Sequence, residues 1–145
     1  MVAIPPPLTD IIKRFEGLCL SAYRCTAGIW TIGYGHTGCG IYEGMRISVG
    51  QANALLYHDA IKCLTQVLKD SPILAPSGEN RISAVGDFVF NLGINRYKYS
   101  TFKKRIDDED WSNAAMECNR WIFSGGNKLK DLIARREVED ELLLG

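Results

Sequence analysis

The chain has 145 residues, the usual size of one domain with one core. Its 46% hydrophobic and 23% charged residues exclude a disordered or fibrous chain. Lysine plus arginine equals aspartate plus glutamate at 17 each, so no net charge draws the molecule to nucleic acid or to a membrane surface. The balance is uneven along the chain: 96–136 holds ten basic against six acidic residues, and the tail "EVEDELLLG" holds four acids. A modestly basic C-terminal half suits an anionic polymer and equally suits a mixed solvated surface.

The opening "MVAIPPPLTD" has neither the basic flank nor the apolar run of a targeting signal. A short first helix is expected next. Thr9 is its candidate cap, Leu8, Ile11, Ile12 and Phe15 form its apolar stripe, and Gly17 ends it just after Glu16. From Leu18 to Arg46 the pattern changes to β-branched and aromatic residues set among glycines, as in "GIWTIGYGHTG". That pattern predicts a small antiparallel sheet with tight turns. The uncharged run Cys25–Tyr42 is long, but its glycines, threonines, Cys39 and His36 argue against a membrane span.

Ser48 with Gln51 is a capping-box signature. It opens a long helix, about 49–69, with apolar residues at Ala52, Leu55, Leu56, Ala60, Ile61, Leu64, Val67 and Leu68. "DSPILAPSG" breaks that helix, and further helices are expected over about 79–92, 101–106, 111–123 and 128–144. The sum is an α+β chain: a small N-terminal β-lobe at about 17–47, a connecting helix, and a helical lobe at about 77–145. A cleft between two such lobes is a natural ligand site.

Five cysteines, at 19, 25, 39, 63 and 118, make an odd set that does not read as a disulfide framework. Cys63 and Cys118 sit in apolar patterns and read as small buried hydrophobes. Cys19, Cys25, His36 and Cys39 invite a zinc reading, yet they contain no C-x-x-C pair and lack zinc-finger spacings.

Glu16 is a single acid between Phe15 and Leu18 at a helix end. A carboxylic acid with poor solvation in a cleft can donate a proton to a leaving oxygen, whereas a helix-terminal carboxylate is more often only a surface group. Thr31 is an ordinary strand residue taken alone, and Cys25 lies in a turn after Arg24. None of the three is specific by itself.

Together they carry a pattern. E-G-L-x-L-x-A-Y-x-C-x-x-G-x-W-T-I-G-Y-G-H-T resembles the N-terminal signature of the phage-type lysozymes, glycoside hydrolases of bacteriophage endolysins. Glu16, Cys25 and Thr31 fit the family's spacing of glutamate, aspartate or cysteine, and threonine without a gap. The likeness continues through "FVFNLG" at 88–93, "STFKKRI" at 100–106, "RW" at 120–121 followed by "GG", and "ARREVEDELLL" at 134–144. It implies a lysozyme-like fold over 1–145 as a single domain. It also implies hydrolysis of the β-1,4 bond between N-acetylmuramic acid and N-acetylglucosamine in peptidoglycan, and so lysis of a bacterial host.

On the same resemblance Glu16 is the general acid, while Cys25 and Thr31 position or activate water. Thr37, Phe90, Asn91 and Thr101 fall where the family contacts substrate, and His36 pairs with Asp59 as a structural ion pair. No metal and no organic cofactor is needed for two-group glycoside hydrolysis. The expected partner is the glycan strand, met by a monomer without stable membrane insertion. The chain would be made in the host cytoplasm and reach the periplasm through a holin-type lesion. A non-catalytic peptidoglycan-binding module of the same fold is the competing reading, and its mark would be loss of Glu16. A metal-stabilised structural protein using the cysteines is the other alternative.

Overall fold

The computed structural model describes residues 3–124 and 127–145. Helix α1 (Pro6–Glu16) begins on two prolines, whose fixed φ suits a first helical turn where no N–H is needed. Thr9 is therefore not its cap: the helix starts three residues earlier, and the Thr9 hydroxyl donates to the Pro6 carbonyl. Leu8, Ile11 and Ile12 form its buried face. Gly17, at φ 71°, stops the helix while its N–H closes the last turn on the Lys13 carbonyl at 3.2 Å.

Strands β1 (Cys19–Arg24), β2 (Trp30–Gly33) and β3 (His36–Thr37) form an antiparallel sheet in that order. Tyr23 pairs with Thr31 and Arg24 with Trp30, and the register is irregular between Cys19 and Tyr23. Thr31 pairs with Thr37 and Ile32 with His36. Thr31 and Ile32 are both buried in β2, while Thr37 of β3 is exposed.

Helix α2 (Val49–Asp70) carries the complete capping box: the Ser48 hydroxyl accepts from the Gln51 N–H, and the Gln51 side chain accepts from the Ser48 N–H. It is the long element joining the sheet to the helical body. A 3₁₀ segment, Pro72–Ser77, follows where the prolines interrupt it. Helix α3 (Glu79–Leu92) runs through the middle, with every residue from Ser83 to Val89 buried. Its Gly86 lets neighbours close in: a Cβ there would stand 3.2 Å from side-chain atoms of both Leu8 and Leu64. One core cluster joins α1 to α2 through Leu8, Ile11, Ile12, Leu56, Ala60 and Leu64.

The second, larger cluster centres on Phe88, against which Tyr97, Phe102 and Trp121 pack with ring centroids 4.6–6.2 Å away. It is closed by α4 (Ile94–Lys98), α5 (Thr101–Asp107), α6 (Trp111–Cys118) and α7 (Lys130–Leu144). Two expectations are corrected here. The short α4 was not foreseen, since "INRYK" is only one turn past Gly93. The helix expected over 111–123 stops at Cys118, and a hairpin of β4 (Phe123–Ser124) and β5 (Asn127–Lys128) replaces its end, so α7 starts at Lys130 rather than 128. The "GG" of the sequence motif, Gly125 and Gly126, lies outside the described residues.

Candidate active site

Glu16 is the last residue of α1 and is half-buried. Its Oε2 accepts a hydrogen bond from Nη1 of Arg135 at 2.5 Å. The other side of the carboxylate abuts Gly35, in the turn between β2 and β3. Gly35 has φ 75°, and a Cβ there would stand 3.1 Å from the Glu16 Cδ and overlap Oε1. The carboxylate is thus held between a guanidinium and a bare stretch of backbone.

Arg135 is itself fixed from behind. It is 4% exposed, and its Nε and Nη2 donate to the fully buried Asp87 at 2.9 and 2.7 Å. This bidentate geometry leaves one edge of the guanidinium for Glu16. Burial works most strongly against a charged Asp87, but the hydrogen bonds from Arg135 and Glu139 and the charges of Arg135 and Arg136 together hold the carboxyl below its usual range.

Cys25 follows β1 in a tight turn: its N–H donates to the Ile29 carbonyl at 2.9 Å, and its carbonyl accepts from Gly28 at 2.8 Å. The backbone amides of Ile29 and Ala27, and more weakly the Thr31 hydroxyl, push the thiol below its ordinary pKa against the opposing effect of desolvation. Thr31 is 3% exposed, and its Oγ1 donates to the Ile29 carbonyl at 3.0 Å. Tyr23 lies in the same field, raised by burial first and then by Cys19, Glu16 and Cys25.

A cavity of about 300 Å³ opens beside Gly35. Thr37 of β3, Asp59, Lys62 and Gln66 of α2, and Phe90 of α3 contribute to its wall. Polar groups on one side and an aromatic on the other suit a sugar. Among the described residues no group of three or more histidine, cysteine, aspartate or glutamate side chains is arranged to hold a metal ion. Nor is any described helix long and apolar enough to cross a membrane.

The phage lysozyme family model covers residues 13–139. The chain belongs to the phage lysozyme family. It is 38% identical over 136 residues to the endolysin of Acyrthosiphon pisum secondary endosymbiont phage 1, covering 91% of each chain. It is 33% identical over 129 residues to the SAR-endolysin of Bacteriophage PS119, covering 89% of this chain and 76% of that one. The muramidase domain of SpmX from Asticaccaulis excentricus superposes with a TM-score of 0.88 at 32% identity, over 100% of this chain and 99% of that domain. This phage lysozyme is a glycoside hydrolase of the lysozyme type, an endolysin that hydrolyses peptidoglycan.

The residues named from the sequence do not all share one place. Glu16, Cys25 and Thr31 lie at the end of α1, in the turn after β1 and in β2. Thr37 and Phe90 line one cavity with Asp59. The His36 Nδ1 and Asp59 Oδ2 stand 2.7 Å apart, tying β3 to α2. Asn91 turns inward: its Oδ1 accepts from Nη2 of Arg136 at 2.9 Å. Thr101 is exposed at the start of α5 and is not part of the cavity wall. Cys118 is fully buried as expected, and Cys63 partly so.

Sequence reasoning missed Arg135, Asp87 and Gly35 as neighbours of the acid. A signal for the first two exists. Asp87 is an acid inside the apolar run "AVGDFVF", and "RR" precedes an apolar helix end. A lone acid in such a run needs a buried partner.

Proposed function

We propose that this phage lysozyme cleaves the β-1,4 bond between N-acetylmuramic acid and N-acetylglucosamine, with Glu16 as general acid. The observation that carries the reading is the clamp on Glu16. Arg135 holds one oxygen, Gly35 leaves room for the other, and Gly35 is itself part of the cavity wall. A fixed acid beside a sugar-sized cavity meets the first demand of glycoside hydrolysis, protonation of the leaving oxygen.

Cys25 takes the second role. Its turn amides favour the thiolate, the form that activates water, and Thr31 helps to hold that water. Attack by this water on the face opposite the leaving group gives inversion. Thr37 and Phe90 contact the sugar rings, and Asn91 and Thr101 lie further along the strand's path. The His36–Asp59 pair acts as a structural brace. The reaction calls for no metal or cofactor.

The enzyme works as a monomeric single domain on glycan strands. It is made in the host cytoplasm and acts in the periplasm after passing a holin-type lesion.

Clearing of permeabilised Gram-negative cells or purified peptidoglycan tests the reading directly. Glu16→Gln keeps the shape and loses the proton. Its rate should fall by about 10²–10⁴-fold with the circular dichroism spectrum and melting temperature retained. Clearing within about threefold of the parent, far below that range, removes Glu16 from the role.

A further inference from the structure

Behind Glu16 lies a buried charge cluster that the hydrolysis does not itself call for. Asp87 on α3 and Arg136 and Glu139 on α7 are fully buried, and Arg135 is 4% exposed. Arg136 meets Glu139 through Nη2 to Oε2 at 2.9 Å and also donates to Asn91. The Cys118 thiol donates to the other Glu139 oxygen at 3.3 Å. Such a cluster is a poor stabilising device, because apolar side chains of the same volume usually serve a core as well or better. Nη1 of Arg135 ends on Glu16 and so ties the cluster to the candidate acid.

The charges do not balance in pairs. Glu16, Asp87 and Glu139 are three carboxyls facing two guanidinium groups. Burial first, and then the Asp87 hydrogen bond and charge, push Glu139 well above the usual carboxyl range. Asp87, gripped through both of its oxygens, is the direct buried counter-charge of Arg135. Without it, Arg135 would turn a full, poorly solvated positive charge on Glu16, and such a charge strongly favours a carboxylate over a carboxylic acid.

We propose that Asp87 is a positioning residue for Glu16, acting through Arg135. Its carboxylate grips two edges of the guanidinium and offsets its charge, so that Glu16 meets a fixed N–H donor rather than a bare cation and can carry the proton the reaction uses. The proposal rests on the assignment of Glu16 as the acid. Other ionisable groups also face this unit. They are Tyr23 of β1, which feels Glu16; Cys63 of α2, which feels Asp87; Cys118 of α6; and Arg136 and Glu139 of α7. On α1 itself Lys13 lies over the Tyr34 ring and Arg14 over Phe15. None of these grips Arg135 as Asp87 does.

The test is the pH profile of kcat/KM for peptidoglycan, whose alkaline limb reports loss of the acid's proton. Asp87→Asn keeps the shape and removes the charge. Its alkaline limb should move down by about one pH unit or more, a loss of about tenfold at pH values on that limb, with KM little changed. In the double variant Asp87→Asn/Arg135→Gln the cation is gone as well, and the limb should return to the parent position or above it. A purely structural Asp87 predicts instead a uniform loss at every pH with the limb unmoved, and that result overturns the proposal. If Asp87→Asn does not fold, the double variant decides, since it buries no unpaired charge. A limb at or above the parent's supports the proposal, and one below it overturns it. Glu16→Gln, assayed beside these, separates the two claims. If it is inactive and the limbs are unmoved, only the role of Asp87 falls. If it is active, the assignment of the acid falls and the proposal with it.

Discussion

Replacing Gly35 by alanine perturbs Glu16 without altering any functional group. Two separate effects are expected. Gly35 has φ 75°, and an L-residue held in that region costs about 1–2 kcal/mol. For a domain near this size each kcal/mol lowers the melting temperature by about 2–4 °C, so a drop of about 2–8 °C is expected. The second effect is local. The new methyl would overlap Oε1 of Glu16, and the carboxylate cannot simply swing aside because Arg135 holds Oε2. A displacement of about 1 Å in a catalytic group commonly removes about 10²-fold of the rate.

Gly44 provides the control. It has φ 87° with nothing within 4 Å of an added Cβ, so Gly44→Ala carries the backbone strain alone. Both variants should melt lower by similar amounts, while only Gly35→Ala should lose about 10²-fold in wall clearing at a temperature where both are folded. Equal clearing rates in the two variants would refute the claim that the glycine exists to leave room for the acid.

Three further outcomes can be checked. A thiol-alkylating reagent should abolish lysis by modifying Cys25, and chitooligosaccharide should slow that modification. Cys25→Ser should lose most activity and Cys25→Asp keep a substantial part; because Cys19 and Cys39 are exposed, alkylation is repeated with both changed to serine. A double-mutant cycle on His36 and Asp59 should give a coupling of about 1.5–3 kcal/mol in unfolding, the range for a hydrogen bond to a charged group, and a coupling near zero would show that the 2.7 Å contact does not brace β3 to α2. Burial pushes Cys63 up to about 11, so the folded state keeps a proton that the unfolded state has lost. Its contribution is intact below the unfolded value of about 8.5 and fades as pH rises through the folded one, by up to about 1.4 kcal/mol per pH unit. The melting temperature should therefore fall over that window less steeply in Cys63→Ala, and parallel curves would count against a buried neutral thiol.

The sequence alone determined what depends on near neighbours. Gly17 ends the first helix through its own φ preference, and Ser48 with Gln51 opens α2 by a contact three residues long. The run from Glu16 to Thr37 and the motifs further along the chain resemble the phage lysozymes, and the family model over residues 13–139 agrees with that resemblance. Helix ends set by packing were not readable. The expected helix over 111–123 ends at Cys118, and α4 forms because Tyr97 is drawn into the Phe88 cluster. The clamp on Glu16 was not readable either. Arg135 lies 119 residues after Glu16 along the chain, and Asp87 lies 48 residues before Arg135. Only the packing of α3 against α7 brings them behind the acid. Local rules see a charged residue in an apolar helix as an anomaly, and the partner that makes it affordable comes from another element.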